Sequence, residues 1–263
     1  ELKIVIETLM KPLLLLISSL LIAACTPQSD ESDSPKTLIN RDVNLPDFSV
    51  YNDVNEKKAA FFGYLLPLIE QANLDVQAER EEMMAMEKRQ PLDRKDKNRL
   101  KELVLKYKVD ESLPAKEKIQ ILLDQVNVVP PSLVLAQAAN ESAWGTSRFA
   151  VEGNNLFGQW CFRKGCGLVP EARGDDANHE VAAFETPFRS ISSYIRNLNR
   201  HPSYQELREK RNQLLTDQGY ATGEQLAEGL MHYSERGEEY VNEIQAMIRY
   251  NKLNRYDPKN PES

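Results

Sequence analysis

Apolar positions recur at helical spacing along most of the chain, and one short interval breaks the rhythm. Between Asn55 and Arg89, Phe61, Phe62, Leu65, Leu66, Ile69 and Ala72 fall three and four residues apart and predict an amphipathic helix. Pro67 lies inside it, where a missing N–H and a ring clash predict a kink or a division. The later part, Ala78 to Arg89, is densely charged and reads as a solvated face. Asp96 to Lys108 and Pro114 to Val126 predict two further amphipathic helices. Pro131 suits a first helical position, and from Leu133 the helical step runs through Gln137 and Glu141 to Trp144, with Gly145 as the stop. From Pro187 the pattern is helical again: Ile191, Tyr194, Ile195 and Leu198 form a core face, and Tyr204 to Leu215, Thr222 to His232 and Gly237 to Leu253 follow. The break lies between. Gly167 to Arg173 and His179 to Phe184 flank Gly174-Asp175-Asp176-Ala177-Asn178, a turn that predicts a β-hairpin. The fold class is mainly α (α+β): a helical lobe with a small β-hairpin lobe, preceded by extra N-terminal helices packed on the same unit.

Composition narrows the function. The chain has 263 residues and a formal charge of −7, enough for one large or two small domains and opposed to nucleic acid or anionic lipid as a charge-bound partner. Between Val128 and Arg200, seven acidic residues balance seven basic ones, so the acidity lies in the flanks. A neutral, aromatic-bearing centre suits an uncharged substrate such as sugar.

The amino terminus reads as an address. Lys11 precedes an apolar run, Leu13 to Ile22, too short to span a bilayer comfortably and of signal-peptide length. Met10 fits the start of such a signal better than the acidic stretch before it. Ile22-Ala23-Ala24-Cys25 looks like a bacterial lipobox, in which Cys25 is lipidated and becomes the first residue; ordinary secretion after Ala24 is the other reading. Thr26 after the cysteine favours the outer membrane. Residues 1–24 are thus a lipoprotein signal peptide, 25–52 a flexible tether, 53–127 the N-terminal helical region, 128–256 the catalytic domain and 257–263 a disordered tail. Export also colours Cys161 and Cys166: two thiols in an oxidising compartment suggest a small disulfide loop. A zinc site with His179 as third ligand is the competing reading, without a fourth ligand at suitable spacing. No metal and no cofactor is expected.

Glu141 is the candidate of chemical interest. It falls in the last turn of its helix, where the dipole disfavours a charged carboxylate, and shielding by Trp144 and Leu156 would raise its pKa further. A carboxylic acid kept protonated near neutral pH is what a general acid requires. The alternative is a solvated glutamate at a frayed helix end.

These residues carry a resemblance. Ala138-Ala139-Asn140-Glu141-Ser142-Ala143-Trp144-Gly145, then Asn154-Asn155-Leu156-Phe157-Gly158, then a hairpin, then Ser193-Tyr194-Ile195 and His201-Pro202-Ser203-Tyr204, resemble the bacterial glucosaminidases of glycoside hydrolase family 73. The family includes the glucosaminidase domain of the flagellar rod-cap hydrolase. Trp160-Cys161, Gly165-Cys166-Gly167, Arg196 to Asn199 and Tyr233 to Gly237 match its Bax-like subgroup. The resemblance implies a lysozyme-like helical lobe and cleavage of the N-acetylglucosaminyl-β-1,4-N-acetylmuramyl bond in peptidoglycan glycan strands, with Glu141 as the acid. It implies that Asn154, Phe157 and Gly158 floor the sugar cleft, with Asn155, Trp160 and Tyr194 beside them as substrate-binding candidates, and that Tyr233 faces the reacting sugar. The second carboxylate is either Glu171 or Glu180, both on the hairpin, with a slight preference for Glu171, or the substrate's own acetamido group replaces it. A lysozyme or lytic transglycosylase cutting on the muramic acid side, and a non-catalytic peptidoglycan-binding lipoprotein, are the rival functions. Asn-Asn-Leu-Phe-Gly favours the glucosaminidase.

Overall fold

The computed structural model describes residues 40–171 and 179–258. The signal sequence, Cys25 and most of the predicted hairpin turn therefore lie outside the described residues. Among those described, no helix is long and apolar enough to cross a membrane.

The first helix, α1 (Val54–Lys88), opens on Asp53, whose side chain accepts from the N–H groups of Asn55 and Glu56. It runs through Pro67 as one continuous helix, so the division its sequence allows does not occur. The carbonyl that loses its partner belongs to Gly63, which is exposed, so water serves it instead. The charged end of α1 is largely solvated, as expected, but carries one buried stripe. Met83 and Met86 are buried. Glu79 accepts from Lys106 and Tyr107 of α2 (Arg94–Tyr107). Arg80 donates to the carbonyls of Leu123 and Val126 at the end of α3 (Ala115–Gln125). The charges pair across helices and let the apolar stripe between them bury.

Part of the expected tether is docked. Phe48, in a 3-10 turn over Phe48–Val50, is 1% exposed and meets Phe61 and Tyr64 edge-on at 5.3 and 6.1 Å. One aromatic ring in a socket fixes this segment, which its otherwise polar composition conceals. The expected tail is likewise anchored through Asp257, buried and accepting from Ser132 N at 2.9 Å, Ser132 Oγ at 2.6 Å and Gly223 N at 2.8 Å.

At the centre is α4 (Pro131–Glu141), with every residue from Pro131 to Ala139 buried. Around it stand α1, α8 (Gly223–Leu226), α9 (Glu238–Tyr250) and the 3-10 turn Leu253–Tyr256, while α6 (Pro187–Arg200) packs on α1. A short helix the periodicity did not reveal, α5 (Arg148–Gly153), follows α4, and α7 (Gln205–Gln218) packs on the outer side of α6. The helix expected over 222–232 is only α8 and a 3-10 turn, Ala227–Leu230. A Thr222/Gln225 capping box starts α8, and the chain then tightens to pack on α7 and α9.

The small lobe is a three-stranded antiparallel sheet in the order β1-β3-β2, with β1 Trp160–Cys161, β2 Gly167–Leu168 and β3 Glu180–Ala182. β2 and β3 are the predicted hairpin; β1 is an addition and makes β3 the central strand. Cys161 faces Glu180 and Gly167 faces Ala182 in register. A Cβ on Gly167 would stand 1.9 Å from the Val181 carbonyl oxygen, so no side chain is admissible there.

Candidate active site

Helix α4 ends at Glu141, one turn earlier than the sequence suggests. Ala143, Trp144 and Gly145 follow with φ of 49°, 61° and 75°, three successive left-handed residues of which only the glycine adopts that region without cost. Ser142, fully buried, holds the turn: its hydroxyl donates to the Ala138 carbonyl at 2.5 Å and accepts from Gly145 N at 2.8 Å. The turn swings Trp144 away from the Glu141 face, so the predicted shielding by Trp144 is not the one that forms. Trp144 instead packs edge-on against Phe61 and Phe62 at 5.7 and 5.4 Å, with the Lys58 ammonium 5.1 Å from its ring centroid. Backbone strain of this kind is sustained only where packing over-determines it, and here it sits directly behind the candidate acid.

Glu141 is enclosed by tyrosines. Tyr240 of α9 donates to Glu141 Oε1 at 2.7 Å. Tyr233 stacks on Tyr240 with ring centroids 5.3 Å apart and planes 8° from parallel, and its hydroxyl donates to the Phe157 carbonyl at 2.9 Å. Tyr194 and Tyr204 complete the electrostatic surroundings. Burial raises the Glu141 pKa above the ordinary glutamate value; the Tyr240 and Asn140 hydrogen bonds and Arg236 pull it down, and the Glu243 carboxylate pushes it up. The net effect is upward, toward a carboxyl group that keeps its proton at higher pH. Gly158, exposed and left-handed at φ 62°, lies on the other side of the acid, where a Cβ would come within 3.8 Å of Glu141 Oε2. That oxygen thus lies beside an exposed glycine, and a side chain there would only touch it.

Several residues expected to touch sugar are spent on architecture. Asn155, Phe157 and Tyr194 are 1%, 2% and 2% exposed. The Asn155 amide donates to the carbonyls of Gln159 and Ala182 and its oxygen accepts from Phe157 N and Gln159 N. Phe157 stacks on Tyr194 at 4.0 Å, and Tyr194 donates to Gln137 Oε1. Asn154, the left-handed cap of α5, donates to the Phe184 and Glu185 carbonyls. Asn154 and Asn155 build the loop that presents Gly158 by binding backbone groups, which an Asn-Asn dipeptide does not advertise. Trp160 is different: it is 60% exposed and stacks on His179 at 4.2 Å.

The two carboxylates of the small lobe part company. Glu180 is 5% exposed, and its two oxygens accept from Gly165 N and Gly167 N, each at 2.9 Å. Glu171 has a side chain 88% exposed, 3.6 Å from Arg148. Cys161 and Cys166 form a disulfide. Cys161, Cys166 and Glu180 lie within metal-ligand reach of one another, but sulfurs bonded to each other offer no thiolate, and His179 spends its ring face on Trp160. Neither lobe carboxylate is among the groups that perturb Glu141. Glu243 and Arg236 are; Arg236 falls within the Tyr233–Gly237 stretch that carries the resemblance, whereas Glu243 shows in the sequence only as the residue three positions after Tyr240.

Comparison with known proteins follows this geometry. The family model described as glucosaminidase, mannosyl-glycoprotein endo-beta-N-acetylglucosaminidase, matches residues 116–253. The chain is 32% identical over 210 residues to protein bax of Escherichia coli (strain K12), covering 79% of this chain and 74% of that protein. It is 33% identical over 138 residues to peptidoglycan hydrolase FlgJ of the same strain, covering 43% and 44% respectively. With exo-glucosaminidase LytG of Bacillus subtilis (strain 168) it shares 27% identity over 159 residues, 54% of this chain and 51% of that protein. No solved structure matches significantly.

Proposed function

The chain belongs to the glucosaminidase family and is a glycoside hydrolase, and from that premise we propose that it cleaves the N-acetylglucosaminyl-β-1,4-N-acetylmuramyl bond of peptidoglycan with Glu141 as general acid. The relatives FlgJ, a peptidoglycan hydrolase, and LytG, an exo-glucosaminidase, support the substrate and the sugar cut. The observation that carries the acid is the placement of Glu141: at the negative end of a buried helix, inside a tyrosine cluster, with Oε2 beside exposed Gly158. Glu141 donates its proton to the glycosidic oxygen, which leaves C1 as the 4-hydroxyl of the next sugar while positive charge develops at C1. Water then attacks C1. Of the lobe carboxylates, Glu171 is the one exposed enough to activate that water, because Glu180 has committed both oxygens to backbone N–H groups. The substrate's acetamido oxygen is the alternative nucleophile.

Digestion of purified sacculi by wild type and Glu141→Gln, with mass spectrometry of the released ends, tests the reading. Wild type should release reducing N-acetylglucosamine, and the variant should lose activity by about 10³-fold. Muramic or anhydromuramic ends, or wild-type-like digestion by the variant, would overturn it. We also propose that the chain is exported and lipidated at Cys25, placing it in the periplasm on the outer membrane. Loss of membrane fractionation and of fatty-acid labelling in Cys25→Ala is the expected result.

A further inference from the structure

Gln137 is fully buried, uncharged, lies one helical turn before Glu141 and has no part in the proposed reaction. Its amide joins two tyrosines. Tyr194 donates to Gln137 Oε1; Gln137 Nε2 donates to the Tyr240 hydroxyl at 2.9 Å; Tyr240 donates to Glu141 Oε1 at 2.7 Å. The chain has one direction. A tyrosine hydroxyl has a single proton. Because Tyr240 already accepts from Gln137, its own proton is free for Glu141 alone. Oε1 is therefore an acceptor whether the carboxyl group is ionised or not. When Glu141 is protonated, the proton rests on Oε2, the oxygen beside exposed Gly158.

We propose, resting on the reading of Glu141 as the acid, that Gln137 and Tyr194 are positioning residues: through Tyr240 they fix which oxygen of Glu141 carries the transferable proton and hold it toward the cleft. The amide orientation is the selector. If Gln137 were reversed, Tyr240 would donate back to it, and Glu141 would have to turn its proton inward to satisfy the Tyr240 oxygen. Tyr194 opposes that reversal by donating to Oε1 from α6. Its ring is fixed in turn by the stack on Phe157. The groups that face Glu141 from neighbouring elements are Tyr240 and Glu243 of α9, Arg236 before it, Tyr233, Tyr194 of α6 and Tyr204, with Asn140 adjacent. Of these, Tyr240 and Asn140 hydrogen-bond the carboxyl group, and only Tyr240 is tied to the buried amide.

The test compares Tyr240→Phe, Gln137→Met and Tyr194→Phe with wild type in kcat/KM against pH on solubilised glycan strands. It is paired with a carbon-detected NMR titration of the Glu141 carboxyl group, which needs no activity. Tyr240→Phe keeps the ring stacked on Tyr233 and removes only the donor. A lost donor to the carboxylate raises its pKa, so the alkaline limb, set by ionisation of the acid, moves up. We expect kcat/KM to fall about tenfold to a hundredfold and the limb and titration to rise by about one pH unit. Gln137→Met and Tyr194→Phe should move both in the same direction by less. Folded variants whose limb and titration stay in place would overturn the relay, since a packing role alone lowers activity without moving either. An active Glu141→Gln enzyme would overturn the acid assignment while the NMR titration still reports on the relay, so the two failures are distinguishable.

Discussion

Glu141, at the end of α4, is hydrogen-bonded by the neutral side chains of Tyr240, on Oε1, and Asn140, with Oε2 beside an exposed glycine; Glu180, in the middle strand of the sheet, gives both oxygens to backbone N–H groups. The two lobes use the same side chain for opposite ends. In the helical lobe the partners are neutral and one-sided, so burial prevails and the carboxyl group is pushed toward its protonated form. In the sheet lobe the carboxylate substitutes for missing strand partners and gathers the disulfide loop around itself. A catalytic carboxyl group needs an oxygen left over. That criterion, and neither sequence position nor burial alone, separates an acid from a staple.

The sharpest way to break the contrast is at Gly167. Its Cβ position lies 1.9 Å from the Val181 oxygen, so Gly167→Ala forces β2 away from β3 and withdraws both the Gly167 N–H from Glu180 and the lobe from the cleft. Activity should fall about a hundredfold or more. The helical lobe, whose core lies elsewhere, should keep its far-ultraviolet circular dichroism and its main melting transition. A variant that melts globally at lower temperature would show that the lobes are one cooperative unit.

Glu180 itself sharpens the comparison. As a staple, Glu180→Ala strands two N–H groups, at about 1–3 kcal/mol each if they cannot reach water, while Glu180→Gln keeps one acceptor. Activity should therefore fall about tenfold in the alanine variant and less in the glutamine variant, with faster amide exchange at Gly165 and Gly167 in both. As a water-activating base, the two variants would be equally inactive, about 10²–10⁴-fold down, with exchange unchanged.

The helical lobe was the more legible half, for a physical reason. Its central helix is buried on all sides and its period shows in Leu133, Gln137 and Glu141, so the acid and even its polar neighbour on the same face could be read from spacing. The hairpin announced itself through Gly174 to Asn178. What stayed hidden depends on contacts far apart in sequence. Tyr240 meets Glu141 across 99 residues. β1 is two residues long and exists only because β3 offers it an edge. The turn that removes Trp144 is built from Ala143 and Trp144, residues that do not favour left-handed backbone, and is imposed by Ser142 and by the sockets on α1. Arg211, within the helix expected over Tyr204 to Leu215, is 1% exposed and donates to Asn199 Oδ1 and the Gln125 carbonyl; burial lowers its pKa to about 9. Polar residues committed to backbone carbonyls leave no periodic mark.

The smallest effect expected is one of stability, and it separates the lobes by sign. The folded-state pKa of Glu141 is raised, chiefly by burial, so the folded protein holds that proton more tightly than the unfolded chain. Its contribution to stability is then complete below the unfolded glutamate range and is lost as pH rises through the folded value. Glu141→Gln removes the titration. The variant should match wild type in acid and exceed it at neutral pH, by no more than a few degrees in melting temperature, while being inactive throughout. Glu180→Gln has no such gain to make, because its amide keeps one oxygen and leaves one of the two N–H groups without its acceptor. Melting curves of both variants between pH 4 and pH 8 should therefore diverge: a gap that opens in favour of Glu141→Gln as pH rises, and a deficit for Glu180→Gln. A Glu141→Gln protein less stable than wild type at neutral pH would mean that the ionised carboxylate is held favourably by Tyr240, Asn140 and Arg236, and that Glu141 is, like Glu180, a staple.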